Sequence, residues 1–121
     1  MARILIVDDY PVTLRVLSTQ LRKHGYEVNT AGSAREALES LAENPADLAI
    51  LDIAMPEVDG LMLLSQLRAD ARYAAMPVIM LTASGQDQDR ITARETGAND
   101  FLSKPTSSRE LLDTVQRLLP G

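Results

Sequence analysis

The central apolar stretch of the chain is Leu48-Ala49-Ile50-Leu51-Asp52, in which four apolar residues are followed by one carboxylate. An apolar run without polar alternation predicts a strand that is covered on both faces. The run Ile4-Leu5-Ile6-Val7 has the same pattern and ends in Asp8-Asp9. Two such strands predict a parallel sheet whose acidic residues share the carboxyl edge, where open α/β folds build their sites.

Strand and helix patterns alternate along the rest of the chain. Strands are predicted over about residues 3–7, 27–31, 48–52 and 77–82, with a short fifth strand at Phe101-Leu102. Five helices are predicted, and two of them begin at capping boxes, Ser33 with Glu36 and Ser107 with Glu110. The alternation predicts an α/β fold with one doubly wound, five-stranded parallel sheet. The length of 121 residues predicts a single domain over residues 1–121.

Two local patterns stand out in the second half of the chain. The stretch from Gly85 to Thr96 is polar, with Ile91 and a few alanines as its apolar residues. We expect this fourth helix to be the most weakly packed and therefore the easiest to displace. After Asp52, the turn pair Asp59-Gly60 predicts a positive φ at Gly60.

The composition excludes several classes of function. The formal net charge of −5 argues against a nucleic-acid-binding domain and against a surface held to anionic lipid. The lack of cysteine excludes disulfides, thiolate nucleophiles and sulfur-ligated metals. No apolar stretch approaches the length of a membrane span, and no signal peptide precedes the first strand. We therefore expect a cytoplasmic protein, or a cytoplasmic domain cut from a longer one.

The carboxylates Asp8, Asp9 and Asp52 are candidate metal ligands. If their strands are adjacent, the acids crowd one pocket, and two like charges about 4 Å apart repel by roughly 4 kcal/mol at an effective dielectric near 20. Hard oxygen ligands select Mg²⁺, Mn²⁺ or Ca²⁺ over zinc or copper, and few protein ligands with room for water favour Mg²⁺. The alternative is that Asp8-Asp9 only end a strand and cap a helix, but Asp52 at the end of a second strand favours a site.

Two further polar residues, Thr82 and Lys104, follow the fourth and fifth strands. A hydroxyl and an ammonium at neighbouring strand ends could stabilise the charge of a phosphoryl group on or near Asp52. Phe101 is the only phenylalanine, and composition alone favours its interpretation as a core residue.

These segments together resemble the bacterial response-regulator receiver domain, a CheY-like domain of two-component signalling. The resemblance covers essentially the whole chain, and its flavodoxin-like topology implies the strand order 2-1-3-4-5. It rests on Ile4-Leu5-Ile6-Val7-Asp8-Asp9, Leu51-Asp52-Ile53-Ala54-Met55-Pro56, Asp59-Gly60, Leu81-Thr82-Ala83 and Phe101-Leu102-Ser103-Lys104-Pro105.

The resemblance implies that Asp52 is the phosphoacceptor of a phosphorylation-activated signalling switch. The phosphoryl group would come from a sensor histidine kinase or a histidine phosphotransfer protein. Asp9 and Asp52 would bind Mg²⁺ directly, Asp8 would act through water, and the backbone carbonyl of Ala54 would complete the protein ligands. Mn²⁺ could replace Mg²⁺.

The resemblance also implies how the signal is transmitted. Thr82 and Lys104 would contact phosphoryl oxygens, and Phe101 would be the aromatic switch residue that turns inward when Thr82 moves. This replaces the interpretation of Phe101 as an ordinary core residue. The face made by the fourth helix, the fifth strand and the last helix would then control a partner, an output domain or a homodimer. The domain itself would bind neither nucleic acid nor membrane, and it would be no enzyme beyond promoting its own phosphorylation and dephosphorylation.

Two other functions fit parts of the pattern. A Mg²⁺-dependent phosphohydrolase could use Asp52 as its nucleophile, but one such class has a second aspartate two residues later, where this chain has Ala54. A constitutive interaction module that never receives phosphate would not need all five site residues. A nucleotide-binding domain is poorly supported, because neither G-x-x-x-x-G-K-[ST] nor G-x-G-x-x-G occurs.

Overall fold

The computed structural model describes residues 2–55, 58–83 and 87–119. Strands and helices alternate in the order β1 (Arg3–Val7), α1 (Pro11–Lys23), β2 (Glu27–Ala31), α2 (Ala34–Glu43), β3 (Leu48–Asp52), α3 (Gly60–Ala69), β4 (Val78–Ala83), α4 (Asp87–Thr96), β5 (Asp100–Lys104) and α5 (Ser108–Leu118). The fifth strand is longer than predicted and includes Lys104. Pro56 of the Asp52 segment and Gly85, where the fourth helix was expected to begin, lie outside the described residues.

The strands form one parallel sheet in the order β2-β1-β3-β4-β5, which confirms the predicted topology. The register places Val7 beside Leu51 and Thr82 beside Ser103. Asp8, the residue after Val7, therefore emerges level with Asp52. The polar residues that end the strands thus share one edge of the sheet, as parallel pairing requires.

Apolar side chains cover both faces of the sheet. On one face they pack under α2, α3 and α4, and this cluster includes Leu5, Val7, Leu51, Leu64 and Met80. On the other face they pack under α1 and α5, and this cluster includes Ile4, Ile6, Leu21, Ile50 and Leu111. The uninterrupted apolar runs of β1 and β3 are thereby explained, because neither face of those strands meets water. No helix in the described ranges is both long and apolar enough to cross a bilayer.

The fourth helix is weakly packed, as its polar sequence predicted. Ala93 is the only buried side chain among those described in α4, and Ile91 is 51% exposed. An element with so little buried apolar surface is held mainly by polar contacts, so small changes in those contacts can displace it.

The prediction of a positive φ at Gly60 is wrong. Asp59 caps α3 by accepting a hydrogen bond from the Met62 N–H, and Gly60 is the first residue of that helix. Positive φ occurs instead at Gly25 and Gly97 among the described glycines. Gly60 is required for space, because a Cβ there would lie 2.1 Å from the carbonyl oxygen of Asp52. The start of α3 thus packs directly on the backbone that carries Asp52.

We expect Gly60→Ala to lower the free energy of unfolding by at least about 2 kcal/mol, since backbone atoms must move to admit the methyl group. The measurement is urea denaturation, with a lower midpoint at an unchanged slope. Gly32→Ala is the control, because its Cβ would meet no backbone atom within 4 Å among those described, and its near contact is the end of the flexible Glu36 side chain, at 3.2 Å. Equal midpoints for the two variants would contradict this explanation.

Candidate functional site

Three carboxylates meet at the carboxyl edge of β1 and β3. One oxygen from each of Asp8, Asp9 and Asp52 lies within 4.8 Å of the other two. Asp8 is 0% exposed and Asp52 4% exposed, whereas Asp9 faces solvent. The two buried charges are therefore forced together by the strands that carry them, and the third stands at the mouth of the site.

Lys104 bridges the two buried acids from the end of β5. Its Nζ lies 2.6 Å from Asp8 Oδ2 and 3.2 Å from Asp52 Oδ1. The contact with Asp8 is a close ion pair, and Lys104 is the cation described next to Asp8 Oδ2. Burial alone would lower the pKa of Lys104, but its contact with Asp8 and the charges of both acids outweigh burial and raise it. The ammonium therefore stays charged.

Backbone groups of the adjoining loops fix both buried carboxylates. Asp8 Oδ1 accepts a hydrogen bond from the Tyr10 N–H at 2.9 Å, and Asp52 Oδ1 accepts one from the Ala54 N–H at 3.3 Å. Ala54 consequently sits at the rim of the pocket. Its expected role as a carbonyl ligand stays a prediction.

The environment of Asp52 disfavours its charge. Burial, and then the charge of Asp8, raise the pKa of Asp52 from 3.8 to about 6. Lys104 and the Ala54 N–H act in the opposite direction without cancelling the rise. Three carboxylates set against one ammonium leave an excess of negative charge on hard oxygen atoms. That donor set fits a hard divalent cation such as Mg²⁺ or Mn²⁺.

The two residues expected to act in the switch lie on the β4-β5 side of the site. Thr82 is 1% exposed, and its Oγ1 has no hydrogen-bond partner among the residues described. A buried hydroxyl without a partner is unfavourable, so it is ready to bond a group that enters the pocket. Phe101 is only partly buried and packs at the margin of the cluster under α3 and α4. It is therefore not an ordinary core residue.

Three residues of α4 were missed by sequence reasoning. The pocket at the acids has a volume of about 430 Å³ and is lined by Asp9, Tyr10, Asp52, Ile53, Ala54, Leu81, Asp89 and Lys104. Asp89 thus faces the site, while Arg90 and Arg94 lie over the ring of Phe101. No periodicity in this polar stretch indicated which side of the helix would face the sheet.

The family of the chain follows from its match to known proteins. The family model described as "Response regulator receiver domain" matches residues 4–116. The chain belongs to this family. The receiver domain is 37% identical to Protein PilH of Pseudomonas aeruginosa, over 100% of both chains. It is 42% identical over 116 residues to Transcriptional regulatory protein GltR of the same organism, covering 96% of this chain and 48% of GltR. The chain thus spans about half of GltR and all of PilH.

Solved structures agree with the predicted family and fold. A putative response regulator from Chloroflexus aurantiacus superposes with a TM-score of 0.95 at 38% identity, covering 99% of this chain and 98% of that one. Chemotaxis protein CheY4 of Vibrio cholerae gives a TM-score of 0.92 at 34% identity, with 98% of each chain covered. Receiver domains belong to two-component systems, in which they partner with histidine kinases and output domains, and they generally bind Mg²⁺ at an acidic pocket.

We expect Asp52→Asn to stabilise the metal-free protein above pH 6, on the order of 1–3 kcal/mol at pH 7.5. The folded pKa of Asp52 is about 6 against 3.8 for the free side chain, so the folded state holds the extra proton between these values. The destabilisation by its charge is absent below pH 3.8, grows as the pH rises to 6, and is complete above that. Urea denaturation at several pH values in EDTA measures the difference.

Asp113→Asn is the control, since its side chain is 67% exposed and its ion-pair partner among the described residues is the exposed Arg109, one turn earlier in α5. A difference between Asp52→Asn and wild type that is the same at pH 4 and pH 7.5 would show that burial does not raise this pKa.

Proposed function

We propose that this receiver domain is a phosphorylation-activated switch in which Asp52 accepts a phosphoryl group from a phosphohistidine. The donor would be a sensor histidine kinase or a histidine phosphotransfer protein. The observation that carries the proposal is the meeting of Asp8, Asp9, Asp52 and Lys104 in one pocket. Structural strand ends need no such set, because crowded buried carboxylates destabilise a fold unless a ligand offsets them.

The acids would also hold the metal ion of the site. Asp9 and Asp52 would bind Mg²⁺ directly, Asp8 through water and Ala54 through its backbone carbonyl, with Mn²⁺ as a substitute. When bound, the ion supplies positive charge that offsets the repulsion between the carboxylates and an incoming phosphoryl group.

Asp52, Lys104 and Thr82 would have separate roles in phosphoryl transfer. A carboxylate oxygen of Asp52 attacks phosphorus, and the bond from phosphorus to the imidazole nitrogen breaks with its electrons passing to the imidazole, which takes a proton from solvent. Lys104, already 3.2 Å from Asp52 Oδ1, pairs with a phosphoryl oxygen. The unpartnered Thr82 hydroxyl donates to another. The protein thus acts mainly by positioning and by neutralising charge.

The readout would use the weakly packed helix α4 and the edge strand β5 beside it. Movement of Thr82 towards the phosphoryl group opens space beside it, and Phe101 turns inward to fill that space. The α4-β5-α5 surface changes with it and controls a partner, an output domain or a homodimer. A relative from Synechocystis, 41% identical and 49% covered by this chain, is named a DNA-binding transcriptional regulator. We assign any such contact with DNA to an output domain rather than to residues 1–121.

We expect acetyl phosphate with Mg²⁺ to add one phosphoryl group to the wild type, and Asp52→Asn to abolish the addition, because the attacking oxygen is gone. Intact-mass spectrometry of freshly treated protein, with and without EDTA, measures the product. Asp113→Asn should be labelled as the wild type is, since it changes an exposed acid that does not line the pocket.

Other results would support the other functions. Undiminished labelling of Asp52→Asn would contradict the assignment of the acceptor. Release of many phosphates per molecule from a phosphate ester, dependent on Asp52, would favour the phosphohydrolase. Partner binding that is independent of Mg²⁺ and unchanged by beryllofluoride would favour a constitutive interaction module.

A further inference from the structure

The fourth helix is fixed at its C-terminal end by one arginine of α3. Arg68 donates from Nε to the Gly97 carbonyl and from a terminal nitrogen to Asn99 Oδ1, both at 3.0 Å. Asn99 Oδ1 also accepts the Val78 N–H at 2.8 Å, which ties the same point to the start of β4. This end of α4 is therefore bonded to its neighbours through several directed contacts.

Two arginines of α4 itself, one helical turn apart, contact the ring of Phe101 on β5. The guanidinium carbon of Arg90 lies 6.0 Å from the centre of the Phe101 ring, and that of Arg94 lies 5.4 Å from it. Both distances fall within the range of cation–π attraction. Because Ala93 is the only buried side chain described in α4, these contacts add to the little apolar packing that holds the helix on β5.

A hydrogen bond extends the same contact to the residue beside the switch threonine. Arg90 donates to Ser103 Oγ, and Ser103 is the register partner of Thr82. Alternate residues of a strand share a face, so Phe101 and Ser103 both lie on the side of the sheet that α4 covers. Arg90 thus contacts both Phe101 and Ser103, whose register partners on β4 are Met80 and Thr82.

We propose that Arg90 and Arg94 form a latch that holds Phe101 in its resting position and so sets the threshold of the switch. The inference rests on the proposed function, in which Phe101 leaves this position on phosphorylation. The arginines are positioning residues and touch no reacting atom. Movement of Phe101 into the space beside Thr82 separates the ring from both guanidinium groups. The latch therefore favours the unphosphorylated state and lowers the affinity of every ligand that binds the other state better.

The test uses the single phenylalanine of the chain. Phenylalanine with a ¹³C-labelled ring gives NMR signals from Phe101 alone. In the wild type, Mg²⁺ with beryllofluoride should move these signals from a resting to an activated position. In Arg90→Gln/Arg94→Gln, the signals without beryllofluoride should already lie closer to the activated position. The apparent affinity for beryllofluoride should rise about threefold to tenfold, since it scales with the population of the binding-competent state.

Two further proteins show whether the ring mediates the effect. Arg35→Gln/Arg109→Gln removes the same charge from side chains that are 89% and 92% exposed, and it should leave signals and affinity unchanged. In a Phe101→Leu background, the Arg90 and Arg94 substitutions should no longer change the affinity, because the aliphatic side chain has no π face.

The outcomes separate the latch from the switch itself. If beryllofluoride moves the wild-type signals while the Arg90/Arg94 variant matches the wild type in both readouts, the latch is wrong and the switch stands. An affinity gain that persists in Phe101→Leu also overturns the latch, because the arginines would then act without the Phe101 ring. If beryllofluoride binds no better to the wild type than to Asp52→Asn, the proposed function fails and the latch fails with it.

Discussion

The structure depends on one electrostatic constraint: the sheet forces buried carboxylates together at the edge where β1 and β3 end. Hydrophobic burial on both faces of these strands fixes their register, so Asp8 and Asp52 cannot separate without loss of core packing. Gly60 tightens the constraint, because α3 begins in contact with the backbone of Asp52. The free energy gained by burial of the core thus maintains a pocket in which the charges of the carboxylates are only partly neutralised by the protein. Such a pocket fits the cation and the phosphoryl group of the proposed function.

The polar groups around the acids offset the repulsion and the burial of the carboxylates only in part. Lys104 pairs with both buried carboxylates, yet the pKa of Asp52 stays raised to about 6 because burial and the charge of Asp8 prevail. The Thr82 hydroxyl is left without a partner in the described structure. In the proposed switch, a change of charge at Asp52 would be transmitted through Thr82 and Phe101 to α4, which buries little apolar surface among the residues described.

The fold was predictable from the sequence because its signals are local. Apolar runs such as Leu48–Leu51 specify buried strands, and parallel topology then brings their terminal acids together without knowledge of any contact. Gly60 was misjudged because a turn pair has the same sequence whether glycine supplies a positive φ or space for a neighbouring backbone. Asp89, Arg90 and Arg94 were missed because the rotation of α4 about its axis is set by contacts with β5. Those contacts are not encoded in any apolar periodicity of the helix.

The central claim is that the three acids share a single metal ion beside the residue that accepts phosphate. Crystals grown with Mn²⁺ and beryllofluoride test it directly, since anomalous scattering locates manganese independently of the protein atoms. We predict one anomalous peak coordinated by Asp9 and Asp52, with beryllofluoride on Asp52 in contact with Thr82 and Lys104. A manganese peak remote from Asp52, or beryllofluoride on any other residue, would contradict the claim.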